Sequence, residues 1–200
     1  MKEGKIRFNT VFVSENIPRD AKLWELKKWS KTFQESGLTP EVQGNFTGNL
    51  SFRSKNGFVI TASGLKDKED LEEICFVYVK AYDEQNNTFL VEGQTKPSSE
   101  SIIHHLIYKA CVNVNAVFHG HNDTIITHAE ELRLPVTEKE YESGTVELAK
   151  EVLKVLGDHK LIVLRNHGFV SLGNTMKEAG ELALATLNQS KKANGATPIS

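Results

Sequence analysis

Asn113-Val-Asn-Ala-Val-Phe-His-Gly-His121 is the stretch on which the reading of the fold turns. Its apolar, β-prone run ends in two histidines. Residues two apart in a strand leave the same face, so the imidazoles of His119 and His121 converge. The run Lys160-Leu-Ile-Val-Leu-Arg-Asn-His-Gly168 repeats the setting and reads as a second strand ending in His167. Upstream, Glu100 in Lys96-Pro-Ser-Ser-Glu100 supplies a carboxylate. Three neutral imidazoles and one displaceable oxygen ligand have the makeup of a catalytic zinc site, because structural zinc is usually held by thiolates. The expected cofactor is one Zn2+ per subunit, with another divalent metal as the alternative.

Composition narrows the rest. A chain of 200 residues suits one domain that buries a core without staples. With a formal charge of -2, neither a nucleic-acid nor a membrane partner is indicated, which leaves a small molecule. Cys75 and Cys111 lie in apolar surroundings without Cys-x-x-Cys spacing and read as reduced core residues of an intracellular protein. The start, Met-Lys-Glu-Gly-Lys, leads into no signal-like apolar core, and no run nears the roughly 20 residues of a membrane span. A cytoplasmic location is the expectation.

Along the chain, Lys5 to Ser14 forms a first strand that Asn16-Ile-Pro-Arg-Asp20 breaks. A helix follows, capped by Asp20 and ended by Gly37, with Leu26, Trp29 and Phe33 inward. Trp24 and Trp29 read as core or subunit-contact residues. Leu50-Arg53 and Phe58-Ala62 form a hairpin across Asn56-Gly57. Ile74-Val79 is a buried strand, and Thr88-Val91 pairs with it. Four successive strands argue for an antiparallel sheet. Ser98 or Ser99 caps a helix to about Val112, with Glu100 in its first turn and Glu100, His104 and Tyr108 on one face. Asp123 to Leu132, Gly144 to Leu156 and Thr175 to about Ala193 are further helices. The division is residues 1–20 as an N-terminal strand and linker, 21–193 as one α/β domain, and 194–200 as a C-terminal tail.

Small residues and hydroxyls cluster at Gly44-x-x-x-Gly48-Asn49, Thr61-Ala-Ser63-Gly64 and Ser98-Ser99. Such clusters at strand ends and a helix N-terminus present N–H and hydroxyl donors to a phosphate. Any one alone would be an ordinary turn or cap; three beside a metal constellation favour phosphate.

These stretches resemble, in order, the motifs of the class II aldolase/adducin family: Gly48-Asn49-Leu-Ser-Phe-Arg53, Ile60-Thr-Ala-Ser-Gly64, Lys96-Pro-Ser-Ser-Glu100 with His104 and Tyr108, Val117-Phe-His-Gly-His121, and Leu164-Arg-Asn-His-Gly168 followed by Gly173 and Glu178-Ala179. The match spans about residues 21 to 193. It implies an α/β/α sandwich on a largely antiparallel central sheet, assembled as a homotetramer with sites between subunits. It further implies zinc on His119, His121 and His167, with Glu100 as catalytic acid–base and fourth ligand, and a phosphate pocket at Asn49, Ser63, Gly64, Ser98 and Ser99. The family's aldehyde-end tyrosine has Tyr141 as its nearest candidate here, against the alternative of a plain surface tyrosine.

The activity so implied is cleavage or formation of a phosphorylated ketose, giving dihydroxyacetone phosphate and an aldehyde. Epimerases of the family resemble this sequence except for aspartate at the Glu100 position, so glutamate points to an aldolase or a dehydratase. A non-catalytic adducin-like interaction module is the third reading, and it predicts eroded metal ligands. His104 is expected as a donor behind the site; His105, His128 and His159 are expected outside it.

Overall fold

Strand alternation sorts the apolar residues of this chain onto the two faces of one sheet. The computed structural model describes residues 5–195. In chain order these form β1 (Asn9–Ser14), α1 (Leu23–Glu35), β2 (Glu41–Val42), β3 (Asn45–Phe46), β4 (Asn49–Ser54), β5 (Gly57–Thr61), β6 (Phe76–Asp83), β7 (Thr88–Glu92), α2 (Ser101–Ala110), β8 (Ala116–Gly120), α3 (Asp123–Thr127), α4 (Val146–Leu156), β9 (Leu161–Leu164), β10 (Gly168–Gly173) and α5 (Met176–Gly195). Eight strands make the main sheet in the order β1-β7-β6-β5-β4-β8-β10-β9, and β2-β3 is a separate ribbon. The pairings are antiparallel except β1 on β7, which is parallel. The expected mixed α/β domain on a largely antiparallel sheet is what the chain forms.

Alternate residues of each strand serve opposite layers. Ile60, Val77, Val117, Ile162 and Val170 pack with Ile103 and Ile107 of α2 and Val152 of α4. Leu50, Phe76, Phe118, Val163 and Phe169 pack with Leu26 and Phe33 of α1, Ile125 of α3 and Ala183 of α5. This parity positions the site: His119 and His121 continue the series begun by Val117, so they emerge on the α2 side.

Several local expectations change. α1 begins after Lys22, and Asp20 instead accepts from the Lys22 N–H at 2.9 Å and the Ser54 hydroxyl at 2.6 Å, tying the linker to the sheet. Gly37 does end that helix, with φ +77°. Trp24 is 67% exposed and outside the core, whereas Trp29 lies against Gly180 of α5. The sixth strand starts at Phe76, because Glu73–Cys75 form a 3-10 turn that leaves Ile74 exposed. Cys75 and Cys111 are free but only half-buried. The stretch 160–168 is not one strand: β9 stops at Leu164, and β10, which no expectation covered, returns beside it. The Met-Lys-Glu-Gly start and most of the expected tail lie outside the described residues; Asn194 and Gly195 close α5. Among the described residues no helix is long and apolar enough to cross a membrane.

Gly120 is where α1's exit loop, β8 and β10 press together. A Cβ there would come within 2.6 Å of the Phe169 ring and 2.8 Å of the Leu38 carbonyl oxygen. Phe169 is fully buried and has no room to retreat. Gly120→Ala should therefore cost about 1–3 kcal/mol of stability, as overpacked cores do. A urea titration checks this; an unchanged midpoint would contradict the packing described.

Candidate metal centre

The ligand set is assembled by backbone geometry before any metal enters. His119 stands in β8 opposite Asn49 of β4 and Val170 of β10, and His121 follows just past the strand end. His167 sits in the tight hairpin between β9 and β10, where Asn166 adopts φ +56° and the His167 N–H donates to the Leu164 carbonyl at 3.0 Å. The turn, rather than a strand end, delivers it. Gly168 allows the approach, since a Cβ there would meet the Gly120 carbonyl oxygen at 2.4 Å and the His121 and His119 rings at 3.0 and 3.1 Å.

Glu100 arrives from the other direction. The Ser98 N–H donates to the Thr61 carbonyl at 3.2 Å, so the end of β5 holds the approach to α2. Glu100 itself occupies the N-cap position, not the first turn, and its side chain makes no cap hydrogen bond. The carboxylate faces the histidines instead: Oε2 lies 2.8 Å from His119 Nε2, and Oε1 lies 3.1 Å from His167 Nε2. His119 Nε2 and His121 Nε2 are 2.8 Å apart, and one ligand atom from each of the four residues falls within 4.8 Å of the others.

The chemistry of these atoms fits a divalent cation. His119 Nδ1 lies 2.8 Å from the Phe169 carbonyl oxygen, which only accepts, so Nδ1 carries a proton and Nε2 offers its lone pair. That lone pair faces a carboxylate oxygen and a second imidazole nitrogen, an arrangement that needs positive charge at its centre. Glu100 Oε1 and His167 Nδ1 are buried without a hydrogen-bond partner. Burial opposes charge on Glu100, yet without an ion positive charge on protonated His119 and His167 outweighs it and holds the carboxyl well below the usual range, a charge that a bound cation would supply instead. Burial, reinforced by His119, pushes His121 well down and keeps it neutral, as a ligand must be. Burial also works against charge on His167, but Glu100 prevails and raises it.

Behind Glu100 runs a buried hydrogen-bond chain. Asn49 Nδ2 donates to Glu100 Oε2 at 3.0 Å, which leaves Asn49 Oδ1 to accept from His104 Nε2–H at 2.7 Å. His104 Nδ1 must then accept from the Ser51 hydroxyl at 2.7 Å, and Ser51 in turn is 2.8 Å from the Tyr108 hydroxyl. Burial, helped by His119, lowers His104 to about 3, so it stays neutral. The expected donor role of His104 is thus exerted through Asn49. Ser51 was not anticipated, although its position two residues from Asn49 in a strand was the signal available.

Next to the cluster lies a cavity lined by Gly48, Asn49, Ser63, Gly64, Ser98 and Ser99, together with Glu100 and His121. All the residues expected around phosphate therefore meet in one place. Asn45, Thr47 and Ser143 line it too and were not anticipated. Tyr141 does not line it; it is half-buried against the apolar layer of α2 and α4.

Comparison with known proteins agrees with this geometry. Residues 25–190 match the family described as Class II Aldolase and Adducin N-terminal domain. A 5-methylthioribulose-1-phosphate/5-deoxyribulose-1-phosphate aldolase of Rhodospirillum rubrum is 31% identical over 68% of this chain and 66% of its own length. An L-fuculose phosphate aldolase of Methanococcus maripaludis is 32% identical over 66% of this chain and 76% of its own. The solved structure of an L-fuculose 1-phosphate aldolase superposes with a TM-score of 0.70 at 25% identity, covering 92% of this chain and 91% of that one. The chain belongs to the class II aldolase and adducin N-terminal domain family.

Protein purified without chelator should carry about one divalent ion per chain, on the ligand count of a three-histidine site. His119→Ala and His167→Ala should each abolish stoichiometric binding. Elemental analysis decides; full metal content in either variant would refute the assignment.

Proposed function

We propose that this chain is a zinc-dependent aldolase that cleaves a phosphorylated ketose to dihydroxyacetone phosphate and an aldehyde, or runs the reverse condensation. The observation that carries the reading is the continuity of the cavity. Ser63, Gly64, Ser98 and Ser99 line the same cavity as Glu100 and His121, which supports placing a phosphate and a reacting carbon in one pocket. An adducin-like module would have no need of the four intact ligands.

His119, His121 and His167 would hold the ion, with Glu100 as the exchangeable fourth ligand. When bound, the ion supplies Lewis-acid charge that polarises the ketose carbonyl. Ser63, Gly64, Ser98, Ser99 and Asn49 bind the phosphate and hold the C3–C4 bond in register with Glu100. When that bond breaks, the C4 hydroxyl gives up its proton as C4 becomes the aldehyde carbon, and the bond's electron pair moves toward the ketose carbonyl oxygen. Glu100 delivers a proton to C3, so one proton lost at the C4 oxygen balances the one gained at C3. In condensation Glu100 removes the same proton. The Asn49 amide, held by His104, keeps the carboxylate aimed at C3. Tyr141 is the proposed aldehyde-end group. Assembly as a homotetramer, with a neighbouring copy's Tyr141 completing the site, is part of this proposal.

Release of dihydroxyacetone phosphate from a panel of ketose 1-phosphates tests this, and the panel includes the fuculose, 5-deoxyribulose and 5-methylthioribulose compounds named for the relatives. At least one should be cleaved, with chelator abolishing turnover and Zn2+ restoring it. Ser99→Ala should raise KM by about tenfold or more while metal content holds, on the scale of a lost charge-assisted hydrogen bond. No release from any substrate, or equal turnover of unphosphorylated ketoses, would overturn the proposal.

A further inference from the structure

Lys68 is a buried cation that the mechanism above does not use. It lies in Gly64-Leu-Lys-Asp-Lys-Glu-Asp-Leu71, a run that reads as a solvated loop, yet its side chain is only 1% exposed. Its ammonium donates to the Thr47 carbonyl at 2.6 Å and the Gly48 carbonyl at 2.7 Å. Its own N–H donates to Gln34 Oε1 at 2.7 Å, so α1 holds the backbone in place. Among the described residues no carboxylate stands within ion-pair distance of Nζ. Burial pulls its pKa to about 7 against the influence of Glu100. Burying an ammonium on carbonyls alone is costly, and a compensating anion offsets that cost.

The geometry indicates where the anion belongs. Thr47 and Gly48 line the phosphate cavity while Lys68 does not, so the loop lies between lysine and cavity. Across a trans peptide the C=O and N–H point in opposite directions. With the Thr47 carbonyl turned to Nζ, the Gly48 N–H turns away from it. Gly48 has φ +72°, and a Cβ there would meet the His119 carbonyl oxygen at 2.6 Å and Thr39 at 2.8 Å, so β8 braces the loop from its other side.

Resting on the phosphate reading above, we propose that Lys68 is a positioning residue of the anion pocket: it anchors the Thr47–Gly48 carbonyls so that the Gly48 N–H faces the cavity, and its buried charge balances the dianion bound there. The charge acts through one peptide layer rather than by contact, which suits a pocket that must release its product. Lys68 thereby governs substrate affinity and leaves the bond-breaking step to Glu100.

Calorimetric titration of inorganic phosphate into the metal-loaded protein tests this directly. Lys68→Met, which keeps the length and burial of the side chain, should weaken phosphate binding by about tenfold or more, with one metal per chain retained. For a cleaved ketose phosphate, KM should rise by a similar factor while kcat changes less than about threefold. Lys68→Gln, a polar replacement without charge, should weaken phosphate in the same direction and covers a Met variant that fails to fold. A purely structural lysine would lower the melting temperature but leave phosphate affinity in the folded protein untouched; affinity within about twofold of wild type would overturn the proposal. Failure of wild type to bind phosphate would overturn it as well. Phosphate binding that depends on Lys68, with no ketose phosphate cleaved, would uphold the lysine's role and count against the aldolase reading.

Discussion

Electrostatic repulsion among acceptors is the constraint around which this molecule is arranged. The Glu100 carboxylate is buried against the lone-pair nitrogen of His119 at 2.8 Å, with His121 and His167 completing the ring. Left alone, such a cluster would swell or protonate; a divalent ion at its centre would offset that repulsion. The neighbouring architecture serves that closeness. Gly120 and Gly168 remove the side chains that would separate β8 from β10. The hairpin at Asn166 aims His167 inward, and the approach to α2 is pinned to β5 so that Glu100 meets the histidines rather than capping its helix.

A second layer gives the cluster its direction. The carboxylate can only accept, so each donor behind it is oriented in turn, from Asn49 to His104 to Ser51. Because these links are buried, a reversed amide or imidazole would leave unpaired groups costing about 1–3 kcal/mol each. The chain is therefore held in one sense and presents Glu100 in one pose. The cavity proposed for phosphate obeys similar logic with opposite charge, since Lys68 donates to the Thr47 and Gly48 carbonyls of the loop that lines it.

How much of this was legible in the sequence follows from the range of the interactions. The His119/His121 pair was readable because strand parity is local, and the small-residue clusters were readable because turn chemistry is local too. His167 was identified from the same kind of run, but its turn was missed: Arg165-Asn166 lacks the glycine that usually marks a hairpin, so the strand was carried through to His167 and the return strand β10 was not anticipated. Asp20 was expected to cap α1 but instead accepts from the Lys22 N–H and the distant Ser54 hydroxyl; Glu100 was expected in the first turn of α2 and stands at its N-cap, with its carboxylate on the histidines as expected. Ser51 and Lys68 were invisible for a deeper reason. Their partners lie 53 and 20 to 21 positions away, and a lysine among Lys66, Asp67, Glu69 and Asp70 has every compositional mark of a solvated loop.

The central claim is that Glu100 is a proton carrier placed beside a metal, and it can be isolated from substrate identity. Glu100→Gln keeps the size of the side chain and removes its basicity. Incubated with dihydroxyacetone phosphate in deuterated solvent, the zinc-loaded wild type should exchange the C3 hydrogen with solvent. The variant should retain zinc through its three histidines and exchange at least about a hundredfold more slowly, the usual weight of general acid–base catalysis. Exchange at near the wild-type rate in Glu100→Gln, with the metal in place, would contradict the account.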